Sequence, residues 1–407
     1  MSNIYPKLRN VNSNSNWQTA TLGDVVKEYK VSNKLIHHQN LLSLSYGKIV
    51  PKDIESKKGL LPASFDTYQI IKEDIIVFRV TDLQNDKKSL RVGISSQEGI
   101  ITPAYVCVEC NNKQISPKYL FTLLHYYDSI TKVMYKMGDG LRQTLSYREL
   151  KNLIIYIPSI NEQHYITDVF EEIDTYIDIE NKMLASLKQV KEASLQAMFP
   201  QEGETVPKIR FKGFEGGWKK VKLNSFAKRI MRKNSNLEST LALTIASAYG
   251  LVSQIDYFNN SVVGANLRNY YLLKKGEFAY NKSYSNGYPF GSVKRLDKYE
   301  KGILSTLYIV FGIDDSISSD YLTHFFDTTL WHKDVAERAA EGARNHGLLN
   351  IGAEDFLDIN IWKPQTKEEQ QAIASYFTSL DRRISLQTQR LEKLKQIKAA
   401  CLDKMFV

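Results

Sequence analysis

Three stretches carry side chains suited to holding a polyanion by hydrogen bonds and ring contacts. Tyr280-Asn281-Lys282-Ser283-Tyr284-Ser285-Asn286-Gly287-Tyr288-Pro289 follows a predicted strand and ends on a Gly-Tyr-Pro turn. Its Lys, Asn and Ser can bond base edges or phosphates, and its Tyr rings can pack on sugars or bases. Gly342-Ala343-Arg344-Asn345-His346-Gly347 has the same character. Lys136-Met137-Gly138-Asp139-Gly140-Leu141-Arg142-Gln143 holds the corresponding place in the first half. Arg pairs bidentately with guanine, and Asn or Gln with adenine. Taken singly, each is as readily a solvated loop; their equivalent places in both halves favour contact with DNA. The candidate DNA-binding residues are Tyr46, Lys48, Arg79, Lys136, Arg142 and Gln143 in the first half. In the second they are Tyr249, Lys282, Tyr284, Asn286, Tyr288, Arg344, Asn345 and His346. A basic run, Lys219, Lys220, Lys222, Lys228, Arg229, Arg232 and Lys233, either neutralises phosphates or lines a solvated helix face.

Catalytic patterns are missing. There is no Gly-x-x-x-x-Gly-Lys-Ser/Thr loop and no Asn-Pro-Pro-Tyr or Asp-Pro-Pro-Tyr motif of an amino-methyltransferase. Glu149-Leu150-Lys151 matches the tail of a nuclease motif, a three-residue match expected by chance, and the second half has Asp355-Phe356-Leu357 there. Cys107-Val108-Glu109-Cys110 lacks the second ligand pair that zinc needs. Val310 and Ile313 stand at its equivalent places, so strand packing is expected, and no metal site. With 407 residues, 43% hydrophobic and 24% charged, the chain is sized for two or more domains of ordinary globular composition. It has no apolar run long enough for a membrane span and no signal-peptide pattern, and its three cysteines make no disulfide framework. A cytoplasmic, non-membrane protein is expected.

The elements that must position these residues are written twice. Pro6-Lys7-Leu8-Arg9 returns as Pro207-Lys208-Ile209-Arg210, and Trp17 as Trp218. Asp74-Ile75-Ile76-Val77-Phe78-Arg79 echoes in Gly276-Glu277-Phe278-Ala279-Tyr280-Asn281, and Gly99–Tyr105 in Gly302–Tyr308. The offset drifts only from 201 to 207, so loops changed length while the order of elements held. Each half reads as an α+β module with an irregular sheet. Strands are predicted over Ile70–Arg79, Ala104–Val108, Leu153–Ile157, Tyr270–Tyr280, Leu307–Phe311 and Ile359–Trp362, with helices over Tyr119–Met137 and Tyr321–Ala340.

A long amphipathic helix follows each module. Ile166, Phe170, Ile173, Ile177, Leu184 and Leu187 mark one apolar stripe, continued by Val190 and Leu195. Ile373, Phe377, Leu380, Ile384, Leu391 and Leu394 mark the other, continued by Ile397 and Leu402. Such spacing suits a coiled-coil seam, and Ser159…Glu162 and Thr366…Glu369 read as capping boxes. Residues 159–199 carry a net charge of −5 and 366–406 a net of +3, which favours pairing the two helices; the rest of the chain keeps +11. The layout is module 1–157, helix 158–200, module 201–363 and helix 364–407, a pseudo-twofold tandem repeat whose helices pair as an antiparallel coiled coil.

Two variable modules alternating with near-identical helices that end Leu-Lys-Gln-Val/Ile-Lys…Met-Phe, with Pro-Lys-Leu/Ile-Arg…Trp openings and Gly-Glu-Phe-Ala-Tyr-Asn-Lys-Ser-Tyr-Ser, resemble a known family. It is the specificity (S) subunit of type I restriction–modification enzymes, and the resemblance spans essentially the whole chain. It implies two target-recognition domains reading the halves of a bipartite, asymmetric site on double-stranded DNA. It also implies docking of two methyltransferase subunits, joined by restriction subunits. S-adenosylmethionine, ATP and Mg2+ would serve those partners, leaving this chain non-catalytic and without a cofactor. The competing expectations are a stand-alone pseudo-dimeric DNA-binding regulator and a free nuclease built around Glu149.

Overall fold

The computed structural model describes residues 6–9, 16–34, 40–52, 64–81, 91–111, 113–137, 144–247, 249–258, 266–285, 287–339 and 349–406. Contacts gather the chain into two compact units, Met1–Lys182 with Gln389–Val407, and Met183–Thr388.

In unit 1 the described strands are β1 (Gln18–Thr21), β2 (Val26–Glu28), β3 (Leu42–Ser45), β4 (Lys48–Pro51), β5 (Gln69–Ile71), β6 (Ile76–Phe78), β7 (Val92–Ile94), β8 (Gly99–Ile101), β9 (Val106–Cys110) and β10 (Ile154–Ile157). β1 pairs with β10 and β5 with β8; the other six run β2-β9-β6-β7-β4-β3. One turn, α1 (Leu22–Val25), separates β1 from β2, and α2 (Pro117–Tyr126) packs on the sheet. Strand β6 explains the layering. Alternate residues of a strand face opposite sides, and all three of its residues are buried. Ile76 and Phe78 join a core with Tyr119, Leu120 and Leu123 of α2, while Val77 joins a second core with Leu42, Leu44 and Ile71.

Unit 2 repeats the plan with β11 (Lys219–Lys222), β12 (Ala227–Arg229), β13 (Leu243–Ala246), β14 (Gly250–Ser253), β15 (Tyr271–Lys274), β16 (Phe278–Asn281), β17 (Ser292–Arg295), β18 (Lys301–Leu304), β19 (Ile309–Ile313) and β20 (Asn360–Lys363). β11 pairs with β20 and β15 with β18, and the central sheet is β12-β19-β16-β17. Phe278 and Tyr280 pack with Tyr321, Leu322 and Phe325, while Ala279 faces Leu243, Ile245 and Leu251. In unit 1 a single parallel register, Lys48 opposite Ile94, ties the β3–β4 hairpin to β7; the β13–β14 hairpin keeps its own ladder.

Several predicted elements are shorter than their sequence pattern. The strand expected over Ile70–Arg79 is β5 and β6 with a turn between them, where Asp74 takes a left-handed φ of 64°. Its counterpart in unit 2 is Gly276, at φ 86°, the residue type that adopts this conformation without strain. Tyr119–Met137 is not one helix. After α2 the backbone widens into a π-type turn over Tyr127–Thr131, reverses at Lys132 (φ 56°), and resumes as α3 (Val133–Met137). The hydroxyls of Ser129 and Thr131 donate back to the carbonyls of His125 and Tyr127, a habit that bends helices. Asp128, fully buried, accepts the backbone N–H of Arg91 there. Tyr321–Ala340 likewise divides into α7 (Ser319–Phe325) and α8 (His332–Arg338). Buried Trp331 wedges between them, its indole N–H on the Phe326 carbonyl at 3.3 Å. Three further short helices are α4 (Tyr147–Leu150), α6 (Gln254–Phe258) and α9 (Ala353–Leu357).

The long helices are α5 (Ile160–Ala197) and α10 (Lys367–Met405); α5 has 38 residues, which is about 57 Å at 1.5 Å per residue. In unit 1, Asp174 meets Lys398 at 2.6 Å and Glu180 meets Arg390 at 2.8 Å. In unit 2, Lys191 meets Asp381 at 2.7 Å and the Ser194 and Tyr376 hydroxyls lie 2.9 Å apart. Numbers rise along one helix as they fall along the other, so within each unit the pairing is antiparallel. The twelve seam residues Ile166, Phe170, Ile173, Ile177, Leu184, Leu187, Ile373, Phe377, Leu380, Ile384, Leu391 and Leu394 are all buried or half-buried. Val190 and Ile397, expected to continue the stripes, are instead exposed. No described helix is long and apolar enough to cross a membrane.

Each module grips the end of the helix that follows the other module. Phe406 stacks on Phe170 and Tyr126 and meets Trp17 and Tyr119. Phe199 meets Trp218, Tyr321, Phe325 and Phe377 in the same pattern. At the helix starts, the carboxylates expected to close capping boxes are held by arginines. Arg9 forks onto Glu162 at 3.1 and 2.9 Å, and Arg210 onto Glu369 at 2.7 and 2.8 Å. A bidentate pair fixes direction as well as distance. Gln163 and Gln370 then each accept one backbone N–H, from Ser116 and Ser318, at 2.8 Å.

Candidate nucleic-acid interface

Among the described residues, the most solvent-directed aromatic side chains stand on matching hairpins. Between β3 and β4 the chain turns in two residues, Tyr46 (φ 47°) and Gly47 (φ 81°). Two successive left-handed residues suit the twist of a tight hairpin, but tyrosine is an uncommon occupant of the first position. Its ring is 72% exposed. At the matching end of the β13–β14 hairpin, Tyr249 is 76% exposed. Water contact on that scale gains these rings nothing in folding.

The connection after the central strand comes to the same edge. In unit 1 the Leu145 N–H donates to the Val80 carbonyl at 3.0 Å, and in unit 2 the Leu349 N–H donates to Lys282 at 3.0 Å. Thus in both modules the segment after the central strand is tied to a leucine two residues past a polar stretch, Lys136–Gln143 in unit 1 and Gly342–Gly347 in unit 2. In unit 2 the Ser247 hydroxyl lies 2.9 Å from Ser292 and 3.3 Å from Ser285. That contact brings the Tyr249 hairpin beside the loop carrying exposed Tyr284 and half-buried Tyr288. Lys282 is half-buried, with its ammonium on the Ile351 carbonyl at 3.3 Å. In unit 1 a Cβ on Gly93 would stand 3.4 Å from the Gly47 carbonyl, so the hairpin tip overlies the start of β7. Arg79 lies at that end, its N–H on the Arg91 carbonyl at 2.9 Å.

The remaining candidates divide. Lys136 is exposed on α3. Lys48 turns to Asp178 of α5 at 3.3 Å, an exposed pair of small energetic weight. Arg142, Gln143, Asn286, Arg344, Asn345 and His346 lie outside the described residues. Tyr280, within the polar stretch, belongs to the core. Its ring stacks on Phe356 at 4.1 Å, its hydroxyl donates to the Phe290 carbonyl at 2.8 Å, and burial raises its pKa.

Other chemistry resolves into structure. Cys107 and Cys110 lie on β9, and burial pushes both thiols up to about 12, so they stay protonated and inert as nucleophiles. Glu149 caps α4, accepting the Ser146 hydroxyl and N–H at 2.7 Å each, which holds its carboxyl below the usual range. The basic run is not a helix face; it lies on β11, β12 and the residues after them. There Lys222 is paired with Asp358 and Arg232 with Glu277. Lys220 and Lys233 lie over the rings of Trp362 and Tyr271.

One cluster escaped sequence reasoning. His324, Asp327 and Asp381 present ligand atoms within 4.8 Å of one another. Two ammonium groups already neutralise it: Lys191 reaches Asp327 at 2.9 Å and Asp381 at 2.7 Å, and Lys294 reaches Asp327 at 3.0 Å. Burial works to raise the Asp327 pKa, but Lys294, His324 and Lys191 overbalance it and hold the carboxyl far below the usual range. The cluster is an ion-pair lock joining unit 2's sheet and α7 to stretches of both long helices. Its sequence signal was the recurrence of Asp174 and Lys191 as Asp381 and Lys398. In unit 1 the place of Asp327 is taken by His125, which burial, aided by Lys398, pushes down to about 4.

A family model described as Type I restriction modification DNA specificity domain matches residues 14–189 and again 215–396. Among solved structures, the crystal structure of the type I restriction–modification system S subunit from M. genitalium matches with a TM-score of 0.59. Its identity to this chain is 13%, and 99% of each chain is covered. A structure described as the structural basis underlying complex assembly and conformational transition of the type I R-M system matches with a TM-score of 0.53. There the identity is 16%, over 98% of this chain and 99% of the other. At these identities the likeness to solved structures is one of fold. No curated protein matches by sequence.

Proposed function

This chain belongs to the type I restriction modification DNA specificity family, and from that premise we propose that it reads a bipartite, asymmetric target on double-stranded DNA, one half-site per module. One observation carries the reading. Both modules present a hairpin tip and a post-strand connection at one edge, held by the same backbone tie, yet the side chains offered there differ. Tyr46 and Arg79 stand where the other module offers Tyr249, Lys282, Tyr284 and Tyr288. A common scaffold with different contacts at its edge suits half-sites of different sequence, because base edges are distinguished by donor and acceptor pattern.

The paired helices act as spacer and dock. Tyr176 and Ile179 of α5 and Ile397 of α10 are exposed in unit 1, and Met183 and Val190 of α5 and Leu386 of α10 in unit 2; Leu386 and Ile397 repeat Ile179 and Val190 at the same sequence offset. Exposed apolar residues recurring on both helices suit two copies of one partner, the methyltransferase subunit, with restriction subunits completing the complex. Methyl transfer from S-adenosylmethionine and Mg2+- and ATP-dependent cleavage belong to those partners in the cytoplasm; this chain supplies sequence recognition. Methylome sequencing with and without the gene tests the proposal. A gene-dependent interrupted, asymmetric motif is expected; a continuous or palindromic one refutes it. Affinity capture of the chain without a methyltransferase subunit would favour a stand-alone regulator.

A further inference from the structure

Module 2 carries a basic strand pair that module 1 lacks. β11 and β20 form a two-stranded ladder in which Lys219 lies opposite Lys363, Lys220 opposite Trp362 and Lys222 opposite Asn360. The same ladder in module 1 places Gln18 opposite Ile157, Thr19 opposite Tyr156 and Thr21 opposite Ile154. Position for position, four lysines replace neutral residues. Directly opposed residues project to one face, and like charges there oppose pairing. Lys222 is spent on Asp358 and Lys220 on the Trp362 ring. Lys219, Lys228 and Lys363 make no ion pair with any described residue. Asp314 is held below its usual range first by hydrogen bonds to Ser316 and then by Lys363 and Lys228. Lys219 stands opposite Lys363 in the ladder, and Lys228 stands opposite Gly312 on β19, the strand that Asp314 follows, where the Asp314 N–H donates to the Phe226 carbonyl at 2.9 Å. Two of the three ammonium groups thus act on one carboxylate that is already hydrogen-bonded.

We propose that Lys219, Lys228 and Lys363 form a phosphate-binding patch on module 2, which grips the duplex backbone without regard to sequence and gives that module a tighter, more salt-sensitive hold than module 1. The patch rests on the reading of the chain as a DNA-recognition subunit. It adds an asymmetry that base recognition alone does not require. Duplex DNA is the occupant that fits. Its phosphates recur along both strands, so a patch of fixed lysines finds partners at any register. Opposed lysines, costly in the free protein, become favourable once phosphates lie between them.

The test uses the full chain assembled with its methyltransferase subunits and compares wild type with the K219Q/K363Q double variant on cognate duplex over a salt series. Each phosphate contact contributes about 0.9 to the slope of log K against log salt, so the variant's slope becomes shallower by about 2. Binding weakens alike on cognate DNA and on DNA with scrambled half-sites. The methylated motif stays the same, and the melting temperature holds or rises because a like-charge pair is gone. The reverse variant, Q18K/T19K in module 1, steepens the slope. Unchanged slope and affinity in K219Q/K363Q overturn the proposal, as does loss of subunit association with DNA binding intact, which assigns the patch to a protein partner. If wild type binds DNA without sequence preference and the slope still falls, the patch stands while the recognition reading fails; if wild type binds no DNA, both fall.

Discussion

Replacing Tyr249 or Tyr46 by alanine separates reading from folding. Both rings are more than two-thirds exposed at hairpin tips, and surface substitutions of that kind change stability by no more than about 0.5 kcal/mol. The tips are held by backbone: the β3–β4 ladder from Leu42 opposite Pro51 to Ser45 opposite Lys48, and the β13–β14 ladder from Leu243 opposite Ser253 to Ala246 opposite Gly250. Neither ladder needs the ring. If each ring contacts one base step, its loss costs about 1–3 kcal/mol, the worth of a mismatched base pair. That corresponds to a roughly 5- to 150-fold rise in Kd. The assay is fluorescence anisotropy of the assembled complex at fixed salt on three duplexes: intact, first half scrambled, second half scrambled. Tyr249→Ala weakens binding to the intact duplex and to the one lacking module 1's half-site. It is silent where module 2's own half-site is already scrambled. Tyr46→Ala does the converse, as a coupling cycle demands. A loss that persists when the matching half-site is scrambled refutes the assignment, as does no loss on any duplex. A drop in melting temperature of several degrees would show the ring to be structural.

Two further outcomes follow from the helices. Asp327→Asn leaves Lys191 and Lys294 without their shared carboxylate. Breaking a largely buried pair costs about 3 kcal/mol or more, roughly 6–12 °C in melting temperature for a unit of this size; a shift below 2 °C, measured calorimetrically, contradicts the lock. Because the folded carboxyl titrates below its unfolded value, the wild-type contribution is complete at neutral pH and drains away as pH falls below about 4. The variant's penalty therefore shrinks in acid. Ile179→Glu with Leu386→Glu, on exposed helix faces, leaves the melting curve unchanged but removes co-purification of the methyltransferase subunits. Retained co-purification would place the dock elsewhere.

The repeat was legible because long helices impose a period that loops cannot hide. Burial of the seam demands an apolar residue every third or fourth position, and the pairing of two such helices makes both copies keep it. The central strands were legible for a related reason: Ile76-Val77-Phe78 and Phe278-Ala279-Tyr280 must be apolar throughout because cores lie on both faces. What stayed hidden was decided by contacts across the fold. Nothing in Tyr119–Met137 announces a π-type turn, since it depends on Asp128 meeting the backbone N–H of Arg91, just before β7. Trp331 breaks its helix because a pocket of aromatic rings awaits it. Glu162 and Glu369 looked like caps until arginines some 150 residues away claimed them. Val190 and Ile397 looked like seam because periodicity reports an apolar face, not which body covers it.

That last distinction bears on function. Where the modules share a residue type at equivalent places, the shared residue is mostly buried in a common joint: Arg9 and Arg210 on helix-start carboxylates, Tyr119 and Tyr321 donating to the carbonyls of Tyr156 and Trp362, Phe406 and Phe199 in matching cages. They differ as well at residues that are exposed or half-buried: Arg79 against Asn281 at the end of the central strand, and Gln18 and Thr19 against Lys219 and Lys220 in the ladder. Packing constrains the first set and tolerates no independent drift, because a change on one side of a joint strands its partner. Packing constrains the second set far less. Divergence at such open positions carries little folding cost, and selection on what the chain touches can set it separately in each module. An asymmetric target is the expected product of a symmetric scaffold under that division, and a symmetric one would require the two edges to have been held alike.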